Sequence, residues 1–155
     1  NKWMHPLNMR LIHRYYLSYQ TVYLEYKNTN TADIYKIECI NDTLNYAAIN
    51  GNPLIVKWCL KNRADVHAEN DCALRYAAAS GHLEVVQLLL AAGADIHIYN
   101  NSVLYKAARY GRVDVIRFIL SIKNIQFSTH LILQDIVAAA MHGHVDAVKV
   151  LAMYL

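Results

Sequence analysis

The sequence predicts an all-α solenoid of stacked helix-turn-helix units joined by short hairpin loops, and three observations carry that prediction. The stretches beginning at Asn41, Asp71 and Asn101 superimpose column for column at a constant offset, the self-similarity that marks a repeat architecture. Each copy opens with a short Ala-rich segment closed by a glycine. Each then runs into an apolar stripe at three- and four-residue spacing, as in Leu83, Val86, Leu89 and Leu90, which is the period of a one-faced helix.

The register holds in five columns: Leu44, Leu74 and Leu104; the pairs Ala47-Ala48, Ala77-Ala78 and Ala107-Ala108; Gly51, Gly81 and Gly111; Val56, Val86 and Ile116; Leu60, Leu90 and Leu120. A fourth copy follows a two-residue insertion, with Ile136, Ala139-Ala140, Gly143, Val148 and Ala152 in the same columns. The units are therefore 41–70, 71–100, 101–130 and 131–155. No unit could bury its stripe alone, so adjacent copies must cover it.

Taken from the N-terminus, residues 1–40 carry no repeat register, since stepping back one period from Leu44, Ala47 and Gly51 gives Arg14, Leu17 and Thr21. They read as a capping segment: Leu7, Leu11 and Tyr15 share a helical face after Pro6, Val22, Leu24 and Tyr26 alternate as an extended piece would, and Ile34, Ile37 and Ile40 form a further stripe. A small adapter box is the rival reading, for which the segment shows no motif. In each repeat the Ala pair keeps the first helix close to its neighbour, the glycine supplies the positive φ that ends it, and Pro53 suits the first turn of the helix that follows Gly51. Ala64-Asp65-Val66-His67 and Ala94-Asp95-Ile96-His97 form the inter-repeat hairpin. Asn70-Asp71 and Asn100-Asn101 tolerate left-handed turns, which leaves Asp42 and Ser102 as helix N-caps.

Composition narrows the class. With 55% hydrophobic and 17% charged residues, the 155-residue chain is globular rather than disordered. A net charge of +3 without a basic run argues against nucleic acid as partner, and no stretch reaches a membrane span or reads as a signal peptide. Cys39, Cys59 and Cys72 are irregularly spaced and read as reduced, buried thiols in a reducing compartment. Among the eight histidines, His82 and His144 follow the inter-helix glycine and suit bonding in that loop, while His67 and His97 recur at one hairpin column and suit backbone bonding between successive hairpins. His142-Gly143-His144 lacks further ligands at zinc spacing. No nucleophile elbow, phosphate loop or carboxylate pair is present. The expectation is no catalytic residue, no metal and no cofactor.

At Gly81-His82-Leu83-Glu84-Val85-Val86-Gln87-Leu88-Leu89-Leu90 and Gly93-Ala94-Asp95-Ile96 the chain resembles the ankyrin-repeat family. The likeness covers Asn41 to Leu155. It departs from the family in a period shorter than about 33 residues and in lacking the Thr-Pro-Leu-His signature, whose place is taken by Asp42-Thr43-Leu44-Asn45, Cys72-Ala73-Leu74-Arg75 and Ser102-Val103-Leu104-Tyr105. Three residues are missing between Asp95 and Leu104, which shortens the hairpin finger. This form looks like the ankyrin proteins of mimivirus-like large DNA viruses of amoebae, and the high Tyr, Asn and Ile content fits an AT-rich genome of that kind.

The resemblance implies a non-enzymatic protein-binding module whose inner helices and finger tips form a concave ridge. On it would lie Glu69, Asn70, Asp71, Ala79 and Ser80, then Tyr99, Asn100, Asn101, Arg109 and Tyr110, extended by Ile49, Asn50, Met141 and His142. Tyr99, Arg109 and Tyr110 are the richest group, because Tyr and Arg dominate interface hot spots; an ordinary solvated ridge is the alternative. The partner is a protein that the sequence does not identify, encountered in the host cytoplasm if the chain is viral. A virion-associated structural role is the competing reading. Ile136, Val145 and Val150 mark the C-terminal repeat as the face for self-association.

Overall fold

The computed structural model describes residues 40–123 and 125–155. The expected stripes of Leu7, Leu11 and Tyr15, of Val22, Leu24 and Tyr26, and of Ile34 and Ile37 lie outside the described residues, as does Cys39. Among the described residues there are eight helices and no strand. They pair as α1 (Ile40–Asn50) with α2 (Pro53–Lys61), α3 (Ala68–Ser80) with α4 (Leu83–Ala91), α5 (Ile98–Arg109) with α6 (Val113–Ser121), and α7 (Thr129–Met141) with α8 (Val145–Ala152).

The odd-numbered helices stack on one another in an inner row and the even-numbered ones in an outer row, the inner row being the more closely apposed. The Ala pairs explain that asymmetry. Ala47, Ala48, Ala77, Ala78, Ala107 and Ala108 are wholly buried, and a methyl side chain is the largest that so close an approach of helix backbones admits. The outer helices contribute the larger apolar residues, with Ile55, Val56, Val85, Val86, Leu89, Val115, Ile116 and Ile119 sealed in one continuous core with Leu44, Leu74 and Leu104. The family-like fold expected from the sequence is the fold observed.

Each helix pair turns at its glycine. Gly81 sits at φ 87° and closes α3, with its amide donating to the Ala77 and Ala78 carbonyls, a left-handed C-terminal turn for which glycine carries no steric cost. Asn52 caps α2, its side chain accepting from the Ile55 amide, and Pro53 occupies the first turn as expected. After the outer helix the chain turns again at Gly93 (φ 100°), and Arg63 takes the same place one repeat earlier at φ 67°.

The fingers differ from a two-stranded hairpin. A turn closed by Ala68 N–H to Asp65 O at 3.1 Å is followed by three successive left-handed residues, Glu69, Asn70 and Asp71 at φ 52°, 57° and 52°. Tyr99, Asn100 and Asn101 repeat this at φ 48°, 53° and 66°. Left-handed turns at the Asx pairs were expected; Glu69 and Tyr99 join them at a cost of about 1–2 kcal/mol each for an L-residue with a larger side chain. Arg75 holds the first triplet, donating from Nη2 to Glu69 O at 2.9 Å and from Nε to Asn70 O at 3.0 Å. Asp42 and Ser102 are not the N-caps they were expected to be: Asp42 lies within the first turn of α1, which already begins at Ile40, and Ser102 follows the left-handed triplet inside α5 with its hydroxyl buried and without a hydrogen-bond partner.

Among the described residues no left-handed triplet precedes the fourth repeat. Residues 125–128 run without helical structure to α7, and Ser128 caps it conventionally, accepting from Leu131 N. Phe127, buried, stands between the His97 ring at 5.7 Å and the Tyr154 ring at 6.4 Å. Val150, expected on the adhesive C-terminal face, is instead buried, whereas Val145 is exposed and Ile136 partly so. A helix of this period turns Val150 inward with Ala147 and Leu151.

Replacing Arg63 by Gly removes the steric cost of its left-handed backbone, offset by glycine's greater freedom in the unfolded chain. Urea denaturation of Arg63→Gly is expected to show a gain of about 0.5–1 kcal/mol.

Candidate protein-binding ridge

The ridge is built on a ladder of hydrogen bonds that passes from finger to finger. Asn41 Oδ1 accepts the Asp65 amide at 2.8 Å, and Asp65 Oδ1 accepts the His67 amide at 2.9 Å. The His67 ring donates from Nδ1 to Asp71 Oδ1 at 3.1 Å, and the same oxygen accepts the Asp95 amide of the next finger at 3.0 Å. Asp95 then accepts the His97 amide at 2.8 Å, and the His97 ring meets Asn101 Oδ1 at 2.7 Å. His67 and His97 thus bond a side chain within their own finger, not the backbone of a neighbouring one, and the Asx residue makes the crossing between fingers.

That ladder corrects two expected partner-binding residues. Asp71 and Asn101 are only 3% and 5% exposed, and their side-chain oxygens are committed to the ladder. Buried polar groups are bound in this way because an unmade hydrogen bond costs a group its hydration.

A second set of ties lies at the glycine turns. His82 donates from Nε2 to the carbonyl of Ile49 at 3.0 Å, one repeat back, and its ring covers Gly51 closely enough that a Cβ there would collide with it. Arg112 plays the same part without a ring, donating from Nε to Ala79 O at 2.8 Å across Gly81. The His144 ring covers Gly111 in turn. These side chains therefore secure the loop of the preceding repeat rather than their own. The Arg112 column could have been found by stepping one repeat on from His82.

The remaining residues expected on the ridge lie at the surface to different degrees. Tyr99 is 60% exposed and Met141 79%. Tyr110, Glu69, Asn70, Asn100, Ile49 and Asn50 are exposed, and Arg109, Ala79 and Ser80 partly so. His142 is exposed, with its Nδ1 donating to Ala138 O at 2.9 Å and its ring stacked on His144. The Arg75 guanidinium lies 5.4 Å from the Tyr99 ring centroid, a cation–π approach. Three further surface residues were missed: exposed Tyr76, and the column of Tyr105 and Val137, which lie one helical turn before Arg109 and Met141. A four-residue step from the chosen columns would have found the latter.

One buried group departs from the repeat. Asp135 occupies the column of Thr43, Ala73 and Val103, is 3% exposed, and its Oδ2 has no hydrogen-bond partner. Burial pushes its carboxyl up from 3.8 to about 7, because the charged form loses its hydration there. Cys59, buried in α2, is pushed up to about 12 by the same cause, and Cys72 is also raised by burial; both are free thiols, as expected. No group of three or more His, Cys, Asp or Glu side chains is placed to hold a metal ion among the described residues.

The family model described as ankyrin repeats (3 copies) matches over residues 27–100 and again over residues 44–130. The chain belongs to the ankyrin-repeat family. Ankyrin repeats generally mediate protein–protein interaction and are typically non-enzymatic. The first match begins at residue 27, inside the segment read as a cap, while the α7–α8 pair lies largely beyond residue 130, where the matches end. A search of curated proteins returns no match. No helix among the described residues is long and apolar enough to cross a membrane.

Two variants test the ladder and the buried carboxyl. Asp71→Ala leaves the Asp95 amide and the His67 ring without their acceptor and is expected to lower the unfolding free energy by about 1–3 kcal/mol, measured in urea, with Asp71→Asn retaining most of it. For Asp135 the folded state keeps a proton between pH 3.8 and about pH 7 that the unfolded chain has released. Stability therefore falls as pH rises through that window. Urea titrations across it are expected to show the fall in the native protein and a flattened profile in Asp135→Asn.

Proposed function

We propose that this ankyrin array captures a protein partner through the ridge formed by Tyr99, Arg109 and Tyr110, with Glu69, Asn70, Ser80, Asn100, Met141 and His142 around them. The observation that carries the reading is the exposure of Tyr99 at a finger tip beside a row of exposed or half-exposed inner-helix residues. Tyrosine offers large rigid area with few torsions to freeze, and this is why it recurs at binding hot spots. The ladder beneath the fingers supports the same reading, because it holds the left-handed tips, and with them Tyr99, in place before a partner arrives. A surface ordered in advance loses less entropy on binding.

The short finger and the Tyr-, Asn- and Ile-rich composition support a viral chain acting in host cytoplasm, where the ridge engages a host protein and presents it to further machinery. The exposed Val145, Met153 and Leu155 at the last repeat favour a second reading, assembly with copies of itself or with virion proteins.

Changing Tyr99, Arg109 and Tyr110 together to Ala alters no core position, so the circular dichroism spectrum and melting profile are expected to persist. Affinity capture from infected amoebal lysate and from purified virions is expected to lose a host protein in this variant. Unchanged capture would remove the ridge from consideration, and ridge-independent recovery of virion proteins would establish the assembly role in its place.

A further inference from the structure

Two side-chain oxygens are buried without a partner among the described residues, Ser102 Oγ and Asp135 Oδ2, and both residues line one pocket. It has a volume of about 330 Å³ and is walled by Tyr99, Asn100, Ser102 and Tyr105 on one side and by His130, Leu131, Gln134 and Asp135 on the other. It opens between the finger that carries Tyr99 and the first helix of the fourth repeat, at the edge of the ridge.

Repeat stacking does not require a carboxyl at this column, because Thr43, Ala73 and Val103 fill it in the other copies. A buried, unpartnered carboxyl is a burden on folding, and a group kept against stability marks a site where something else completes it. What it lacks is a hydrogen-bond donor, and a carboxylate is best completed by a donor that brings positive charge. Ser102 supplies a second free acceptor in the same pocket. The Tyr99 and Tyr105 rings flank it, and the chain already sets the Arg75 guanidinium 5.4 Å from the centroid of Tyr99. Alongside runs a less polar hollow of about 380 Å³ that shares Tyr105, His130 and Gln134 and adds Leu133 and Val137.

We propose that this pocket receives a cationic side chain, arginine or lysine, from the protein partner, with Asp135 as its counter-ion, Ser102 as second acceptor and the tyrosine rings along its stem. The inference rests on the protein-binding reading and sharpens it. The partner carries a basic residue beside apolar ones, the latter settling against Leu133 and Val137. The volume lies at the low end for ligand pockets, about 300–1,000 Å³, and suits one side chain. A cation that enters stabilises the charged carboxyl, so binding near neutral pH is accompanied by release of the Asp135 proton. The other titratable groups on the pocket are His130, Tyr99 and Tyr105.

The test needs no partner. N-acetyl-arginine amide is titrated into the whole chain and followed by NMR, with the uncharged citrulline analogue as control and the carboxyl carbon of Asp135 observed through pH. The arginine probe is expected to shift the Ser102 and Asp135 resonances and to lower the midpoint of the Asp135 titration by at least one pH unit, while the citrulline probe does neither. Asp135→Asn, which keeps the shape of the side chain, is expected to weaken the arginine response at least tenfold, and Ser102→Ala to weaken it less. Equal shifts from citrulline, an undiminished response in Asp135→Asn, or no response at saturating probe would each overturn the proposal. Such a failure leaves ridge-dependent capture standing, and a failure of capture leaves the probe result standing.

Discussion

The close approach of the inner helices governs the rest of the molecule. Helix backbones can lie this near only where the side chains between them are methyls, and the paired alanines of repeats one to three provide that at six wholly buried positions. Once the inner row is drawn together, the larger residues of the outer row fill the space behind it, and the loops of successive repeats come within bonding distance. His82 can then reach the Ile49 carbonyl over a glycine that leaves room for its ring, and Asp71 can reach the Asp95 amide. Neither bond would form if the helices stood a side chain's length further apart.

The two sets of ties act at different heights. The clasp over the glycine turns joins the helical bodies, while the Asx ladder joins the fingers. Together they hold three successive left-handed residues at each finger tip, a conformation that local preference opposes for Glu69 and Tyr99. That conformation sets Tyr99 outward and close to Arg75. The same interactions that stack the repeats therefore shape the surface proposed to meet a partner, and the finger tips are more than a set of residues left over from the core.

Much of this was legible in the sequence because repetition exposes it. Five columns in register gave the helix pairs, the glycine turns and the buried alanines, and the Asn-rich links gave left-handed turns. Asp71 and Asn101 were misread as ridge residues because an Asx side chain at a turn looks alike whether it faces solvent or receives a backbone amide from the next finger, as Asp71 does from Asp95. Ser102 was misread as a cap because the left-handed triplet, which no local preference announces for Glu69 or Tyr99, displaces the ordinary start of a helix. Val150 reads as part of an uncovered apolar face because the last copy shows no polar outer cap, yet helical period turns it in with Ala147 and Leu151. Asp135 stands out in the sequence as the one carboxyl in the column of Thr43, Ala73 and Val103, whereas the pocket that it lines exists only where α7 comes beside the Tyr99 finger.

The ladder also has an end. It passes from Asn41 through Asp71 to Asn101, and the link to the fourth repeat continues instead through Phe127, packed between His97 and Tyr154, and an ordinary serine cap. Directional bonds resist shear between neighbours, whereas an aromatic contact tolerates sliding and tilt. The fingers are accordingly tied unevenly: directional bonds link those of the first three repeats, whereas the last joint relies on the Phe127 contacts and on the His144 ring over Gly111, and since neighbouring repeats exchange energy only with each other, a change confined to the finger bonds would leave that joint untouched.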